Sequence, residues 1–383
     1  MIRTHLHRLT KKLQRSYEVY NRIEISKSAL THNAEFFGQH SGLQIIPVLK
    51  GNAYGHGIQQ VATALKGEWF AYIAVDGYFE ALKVRAHNPR QPILVMGMIK
   101  PQNFPKLKFR QLAFVVQDED TLHALGKLGK RVKIHLELNT GMNRYGVMPH
   151  ELQKYIDLIQ QYPKIQLEGI MAHLADPDGD DSQTIHAAVK LFDTSVEKIL
   201  AAGLKPTLFH TAQTAGGPRA QSAYANAMRL GIGLYGINPF PPKHALHDTV
   251  RLRPALRLVS TISKVQQLEK GDKVSYNYTF TAPKAMRIGI LPLGYHEGVS
   301  RALSNKGQVK IGSRFYPIVG RVCMNHTIVA LGDENVHAGD EVVVYSNHSA
   351  DQNSIDTIAV QHGLFSYSLL TDLSPDVRRY LIS

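Results

Sequence analysis

Eight short runs rich in β-branched residues recur through the first two thirds of the chain: Ile45–Lys50, Tyr72–Val75, Ile93–Gly97, Leu112–Gln117, Lys133–Leu138, Gly169–Leu174, Leu208–Ala212 and Leu230–Gly236. Stretches of helical period separate them. In Ile58–Lys66, for example, Ile58, Val61, Ala62 and Leu65 fall on one helix face. Parallel strands need a crossover long enough for a helix. The alternation therefore predicts eight βα units and an α/β fold, a (β/α)8 TIM-like barrel; a doubly wound sheet is the alternative that periodicity leaves open.

The texture changes after Pro239, Pro241 and Pro242, which break the pattern. Closely spaced runs follow at Leu256–Val265, Val274–Tyr276, Arg287–Leu293, Gln308–Ile311, Tyr316–Val322, Thr327–Leu331 and Glu341–Tyr345, several of them set apart by Gly-Asp or Gly-Ser turns. They predict a mostly antiparallel β-strand domain, with one late helix at Ser354–Gly363. The expected partition is a basic extension at 1–21, the barrel at 22–245 and the β domain at 246–383. A chain of 383 residues is long enough to need more than one core.

A single cysteine, Cys323, rules out an intrachain disulfide framework and fits a reducing compartment. The basic N-terminus (Arg3, Arg8, Lys11, Lys12, Arg15) has no apolar stretch behind it, unlike a secretory signal. No run reaches the roughly 20 apolar residues that span a bilayer. A cytoplasmic protein without membrane attachment is expected. The net charge of +13 is spread along the chain without an aromatic-interleaved basic motif, so it predicts a surface that favours anionic ligands rather than a nucleic-acid site.

The chemistry starts at Val48-Leu49-Lys50-Gly51-Asn52-Ala53-Tyr54-Gly55-His56-Gly57. Here a lysine ends an apolar strand, and a glycine-punctuated loop follows. The C-terminal mouth of a barrel strand is where such enzymes place reactive groups. A lysine there can desolvate, lose its proton more readily and form a Schiff base. Lys50-Gly-Asn-Ala-Tyr-Gly-His-Gly resembles the signature loop of the alanine racemase family, in which the lysine carries pyridoxal 5'-phosphate (PLP). The resemblance runs from about Arg22 onward and implies the same two-domain architecture.

Further motifs extend the resemblance. Asn139-Thr-Gly-Met-Asn-Arg144-Tyr-Gly is similar to the family's Asp-Thr-Gly-Met-x-Arg-x-Gly, whose arginine contacts the phenolic oxygen of PLP and helps to bind substrate. Glu137 stands where many members have a carbamylated lysine, and is expected to brace Arg144 through a charge-assisted hydrogen bond. His173, after Glu168-Gly-Ile-Met-Ala, matches a histidine against the PLP ring, and Asp178 matches a residue of the substrate corridor. In His210-Thr-Ala-Gln-Thr214-Ala, Thr214 replaces a phosphate-binding serine and keeps its hydroxyl; Gln213 replaces an asparagine. Arg229-Leu-Gly231-Ile232-Gly-Leu-Tyr-Gly resembles the segment whose arginine faces the pyridine nitrogen, and whose Gly231 and Ile232 amides hold phosphate oxygens. Tyr54 and Tyr367 complete that set by resemblance. Because an arginine keeps its proton, Arg229 leaves the ring a weaker electron sink than a carboxylate partner would, which favours racemisation over transamination.

In the β domain, Val274-Ser-Tyr276-Asn277 resembles Val-Ser-Tyr-Gly, whose tyrosine is the second catalytic base and comes from the partner subunit of a homodimer. Leu293-Gly-Tyr295-His-Glu-Gly with Arg301, and Gly320-Arg321-Val-Cys-Met324-Asn325, match further motifs. They imply that Met324 meets the substrate carboxylate, that Tyr295, Arg301 and Arg321 line the corridor, and that Asn325 loses a charge that the family's aspartate carries. No metal site is expected. The resemblance implies racemisation of L- and D-alanine by two bases, Lys50 and the partner's Tyr276, supplying D-alanine for cell-wall synthesis. Asn139 and Asn325 also occur in broad-specificity members, typically exported, so a wider substrate range is one alternative. A PLP-binding homologue without turnover is another.

Overall fold

The computed structural model describes residues 17–68, 70–332 and 335–383, so most of the basic extension expected at 1–21 lies outside the described residues. The first strand, β1 (Arg22–Ser26), leads into the helix Lys27–Ser41, which Ser26 caps by accepting from the amide of Ala29 (3.2 Å). Eight parallel strands follow: β2 (Gln44–Pro47), β3 (Ile73–Val75), β4 (Ile93–Val95), β5 (Leu112–Val116), β6 (Val132–Glu137), β7 (Ile165–Met171), β8 (Leu208–His210) and β9 (Ala227–Leu230). Strands β3 to β8 form one sheet, and β2 pairs with β9. Bridges from Val48 to Ala74 and from Gln213 to Arg229 join the two sheets at both seams and close the ring. Closure satisfies the strand edges.

The strands stop earlier than the apolar runs that announced them. β2 ends at Pro47 and β9 at Leu230, so Lys50 and Ile232 start turns at the barrel mouth rather than continuing strands. In place of the expected strand Leu230–Gly236, a 3-10 turn spans Ile232–Tyr235. β7 instead begins earlier than expected, because Gln166 and Glu168 alternate with Ile165 and Leu167 and interrupt the apolar run. Its register with β6 slips at Ile134/His135, which leaves Glu168 bulged. Gly169 is needed beside that bulge: a Cβ there would lie 2.4 Å from Nδ1 of His135.

The second domain centres on a six-stranded sheet of order β16-β15-β18-β10-β1-β19, formed by β10 (Leu256–Thr261), β15 (Gln308–Ile311), β16 (Arg314–Pro317), β18 (Glu341–Tyr345) and β19 (Arg378–Ile382). Every pairing in it is antiparallel except β1 with β19. β1, grouped with the barrel in the expected partition, is thus a strand of the β domain. A three-stranded antiparallel sheet joins β11 (Lys264–Leu268), β14 (Met286–Leu291) and β17 (Thr327–Leu331), and β12 (Lys273–Val274) pairs with β13 (Phe280–Thr281). The single run Leu256–Val265 is therefore two strands in different sheets. Likewise Tyr316–Val322 is only the end of β16, whose ladder stops at Pro317. The late helix is Ile355–His362, with Ser354 accepting from the amide of Thr357 and Gly363 closing it in the left-handed region. A second short helix, Ser366–Thr371, was not foreseen.

Candidate active site

One cavity of about 670 Å³ opens at the C-terminal mouth of the barrel. It is lined by Lys50, Tyr54, Glu137, Arg144, His173, Asp178, Thr214, Arg229, Gly231, Ile232 and Tyr367, among others. Motifs scattered over more than 300 positions thus converge on one place, because each lies at the end of a barrel strand, in the loop after it or, for Tyr367, in the short helix packed over the mouth.

Lys50 opens an unusual turn. Gly51, Asn52, Ala53, Tyr54 and Gly55 all have positive φ, between 49° and 78°. Left-handed backbone costs about 1–2 kcal/mol for a residue with a Cβ. Bonds from the Ala53 amide to Leu49 O (2.9 Å), from Gly55 to Gly51 O (3.0 Å) and from Ile58 to Asn52 Oδ1 (3.0 Å) offset that cost. Gly55 has a further reason to be glycine, since a Cβ there would sit 1.8 Å from the carbonyl of Leu370 in the helix Ser366–Thr371. The turn swings Tyr54 back into the cavity.

At that end hydroxyl and amide groups converge. Thr214 Oγ accepts from the amides of Gly231 (3.1 Å) and Gly233 (3.4 Å). A Cβ on Gly231 would meet the hydroxyl of Tyr54 at 2.8 Å, so the space belongs to backbone and hydroxyl donors. The Tyr54 and Tyr367 rings lie 6.0 Å apart. Burial raises the Tyr54 phenol, helped by Tyr367, and pushes that of Tyr367 up to about 12, helped by Asp178. Both therefore keep their protons and can donate.

The opposite wall carries the charges. Arg229, 2% exposed, donates from one terminal nitrogen to His210 Nδ1 and O (both 2.6 Å) and from the other to Ala172 O (2.5 Å) and Thr211 O (3.2 Å), with His173 Nδ1 at 3.5 Å. Burial brings its pKa down to about 10, against the pull of Glu137; it stays charged at neutral pH. His210 Nε2 in turn bonds His135 Nδ1 (2.8 Å). With Arg229 donating, both rings must carry their proton on Nε2, and the Nε2 of His135 has no partner. Burial, then Arg229, pushes His135 to about 3 and His173 to about 3, so both are neutral.

Glu137 is buried, and burial raises its pKa while Arg229, Gln117 and Arg144 draw it down. Its hydrogen bond comes from Gln117 Nε2 (2.7 Å) rather than from Arg144, which acts on it through charge. Gln117 was missed by the sequence reading, as was the pair behind Arg229. Alternation in β6, where His135 and Glu137 share a face, was the signal available for the pair. The departures at asparagine also acquire reasons. Asn139 Oδ1 accepts from the amides of Gly141 (3.0 Å) and Asn143 (3.2 Å), holding the Arg144 loop without needing a charge.

Tyr276, Tyr295, Arg301, Arg321, Met324 and Asn325 do not line the cavity. They cluster on the β domain: Ser275 Oγ donates to Arg321 O (2.8 Å), Tyr295 N to Cys323 O (3.0 Å) and Asn325 Nδ2 to Glu297 Oε1 (2.8 Å). Tyr276 is 70% exposed on a turn in which Ser275, Asn277 and Tyr278 have positive φ. Asn277 replaces the family's glycine at φ 60°, a conformation that asparagine tolerates better than most residues.

A closed parallel barrel with a lysine amine, hydroxyl and amide groups and a buried arginine gathered in one mouth, followed by a β domain, has the layout of a barrel enzyme whose chemistry sits at the strand ends. Two family profiles match it, "Alanine racemase, N-terminal domain" over residues 25–239 and "Alanine racemase, C-terminal domain" over 255–381. The chain belongs to the alanine racemase family, whose members are PLP-dependent isomerases. It is 33% identical over 349 residues to the alanine racemase of Carboxydothermus hydrogenoformans, covering 88% of this chain and 93% of that one. It is 30% identical over 369 residues to alanine racemase 2 of Caldanaerobacter subterraneus subsp. tengcongensis, 94% of each. The structure of alanine racemase from Bacillus anthracis with bound L-Ala-P matches with a TM-score of 0.86 at 28% identity, over 96% of each chain. Among the described residues, no helix is long and apolar enough to cross a membrane.

Proposed function

We propose that this chain interconverts L- and D-alanine with PLP held on Lys50, working as a homodimer in which Tyr276 of the partner subunit reaches the same site. The observation that carries this reading is the convergence of Lys50, the Thr214–Gly231 cradle and Arg229 in one cavity. The residues fit the cofactor: an amine for its aldehyde, hydroxyl and amide donors for its phosphate, and arginines for its phenolic oxygen and ring nitrogen. The chemistry the bound cofactor supplies is a π-system that takes up the electron pair at the substrate α-carbon as the proton leaves.

The protein's own groups do the rest. Tyr54, Tyr367, Thr214 and the Gly231 and Ile232 amides hold the phosphate. Arg229, fixed by His210 and three carbonyls, keeps its proton and so does not hand it to the ring. Arg144 holds the phenolic oxygen and, with Met324 of the partner subunit, the substrate carboxylate. His173, neutral, packs beside the ring. Glu137, fixed by Gln117, balances the two arginines, a role that in the family falls to a carbamylated lysine. Lys50 and Tyr276 work on opposite faces of the α-carbon, one removing the proton and the other returning it. The partner subunit's Tyr295, Arg301 and Arg321 line the corridor with Asp178, and the partner subunit's Asn325 supports the catalytic tyrosine without adding a charge. The hydrogen bonds of Asn139 and Asn325 account for both residues without a widened substrate range. The single cysteine is consistent with a cytoplasmic enzyme.

The test is D-alanine formation from L-alanine by purified protein with added PLP, with Lys50→Ala alongside. Turnover and a visible cofactor band, both lost in the variant, are expected. A band without turnover on alanine, followed by turnover on serine, lysine or arginine, would replace this reading with a broad-specificity racemase.

A further inference from the structure

We infer that Glu80 is a positioning residue for Lys50. It stands third in the helix Tyr78–His87, which follows β3, the neighbour of the strand that leads to Lys50. At that place a glutamate ordinarily reaches back to the helix start. Here Oε2 does so, accepting from the amides of Asp76 (2.9 Å) and Gly77 (3.3 Å). The other oxygen is engaged elsewhere: Oε1 accepts from the amide of Gly51 (2.8 Å). That amide belongs to the peptide linking Lys50 to the left-handed turn, so one carboxylate ties the lysine's backbone to the next βα unit.

The geometry gives the bond its consequence. Gly51 is the first of five consecutive residues with positive φ, and Ala53 and Tyr54 among them are held away from the right-handed region that residues with a Cβ prefer. The bonds within the turn join it to itself and its flanks, and at its far end Gly55 O accepts from Arg379 Nε (2.8 Å). The Gly51–Glu80 bond fixes it to the barrel beside the place where the lysine departs, and as a bond to a carboxylate it is of the stronger kind. Glu80 does not line the cavity, so it acts through Lys50 and not on the reactants. The inference rests on Lys50 being the cofactor lysine.

The test compares Glu80→Gln, Glu80→Ala and Val84→Ala in the PLP-loaded protein. Val84 is buried in the same helix but makes no contribution to the clamp, so its truncation reports on helix stability alone. Three quantities are read: hydrogen exchange over residues 50–57, kcat and KM for alanine, and the thermal midpoint. A carboxamide oxygen cannot replace both carboxylate oxygens. Both Glu80 variants are therefore expected to speed exchange of residues 51–57 about tenfold or more, and to lower kcat about ten- to a hundredfold with KM little changed. Val84→Ala should lower the midpoint at least as much while leaving that exchange and kcat near wild type. Wild-type exchange and kcat in Glu80→Gln overturn the inference, as does an equal kcat loss in Val84→Ala. Glu80→Gln keeps the test open should Glu80→Ala not fold. Lys50→Ala separates the two readings. Retained turnover there would sink the assignment of Lys50 itself, whereas its loss alongside unaffected Glu80 variants sinks only the positioning role.

Discussion

The cavity of the barrel and the tyrosine-bearing turn of the β domain hold their reactive groups in opposite ways. In the barrel, Arg229, Glu137, His210 and His135 are buried and bonded to one another, to main chain or, for Glu137, to the Gln117 side chain before any ligand arrives. In the β domain, Tyr276, Tyr295 and Met324 are 70%, 44% and 54% exposed, on turns braced from behind by Ser275 and Glu297. Large apolar and aromatic groups left in water cost free energy that a second surface would recover. The barrel half is organised by its own chain. The β-domain half is organised toward something outside it, and a second copy of the chain is the occupant we propose.

The largest effect expected from breaking that contrast is on turnover. Tyr276→Phe should lower kcat by about 10²–10⁴-fold, the usual worth of a general acid–base group, with an unchanged thermal midpoint because the ring packs against little in its own chain. Lys50→Ala should be inactive too. If the two halves belong to different subunits, mixing the two inactive variants under conditions that exchange subunits restores part of the activity, since one hybrid site has both bases intact. A mixture that stays inactive while hybrid dimers are demonstrably present would break the shared-site reading.

The same contrast separates what the sequence made legible from what it hid. Strand alternation disclosed the barrel because a parallel strand buried on both faces is a near-continuous apolar run, as Leu112–Val116 is. Motif residues disclosed the cavity lining because each sits at the end of such a run. Three-dimensional adjacency stayed hidden. That β1 pairs with β10 and β19 depends on residues more than 200 positions away. Gln117 and Glu80 carry no local signal, since a glutamine after a strand and a glutamate in a helix's first turn are ordinary, and only the fold puts Glu137 or Gly51 within reach. The turn 51–55 was equally opaque: glycines at 51 and 55 permit positive φ, but Asn52, Ala53 and Tyr54 follow only because the surrounding bonds impose it.

The second effect bears on how finished the barrel half is. A Cβ at Gly231 would meet Tyr54 Oη at 2.8 Å and lie 3.8 Å from Thr214 Oγ. Gly231→Ala should therefore shift the tyrosine or the 3-10 turn, at a cost of roughly 1–3 kcal/mol for overpacking, read as about a ten- to hundredfold weaker affinity for PLP in a fluorescence titration. Affinity equal to wild type would mean that the cradle adapts, and that the barrel half is less fixed than its hydrogen bonds imply.

The smallest effect tests whether burial in the barrel carries a pH signature. His135 and His173 are pushed from 6.5 to about 3, and His56 to about 4, burial being the first cause in each. Their folded pKa values lie below the unfolded one, so the unfolded chain takes up the protons first. The stability these groups contribute is whole above pH 6.5 and is lost as pH falls toward their folded values. Urea unfolding of the cofactor-free protein should show stability declining from pH 6.5 to 5, above the range where ordinary carboxylates titrate, with each buried histidine adding up to about 1.4 kcal/mol per pH unit. His135→Gln can still accept from His210 and should lower that slope by about one proton's share. His56, buried in the same barrel, offers a second case: His56→Gln should lower the slope by a like share. Equal slopes in all three proteins would mean that the buried imidazoles reach water in the native state, and the contrast between a closed barrel half and an open β-domain half would fail at its base.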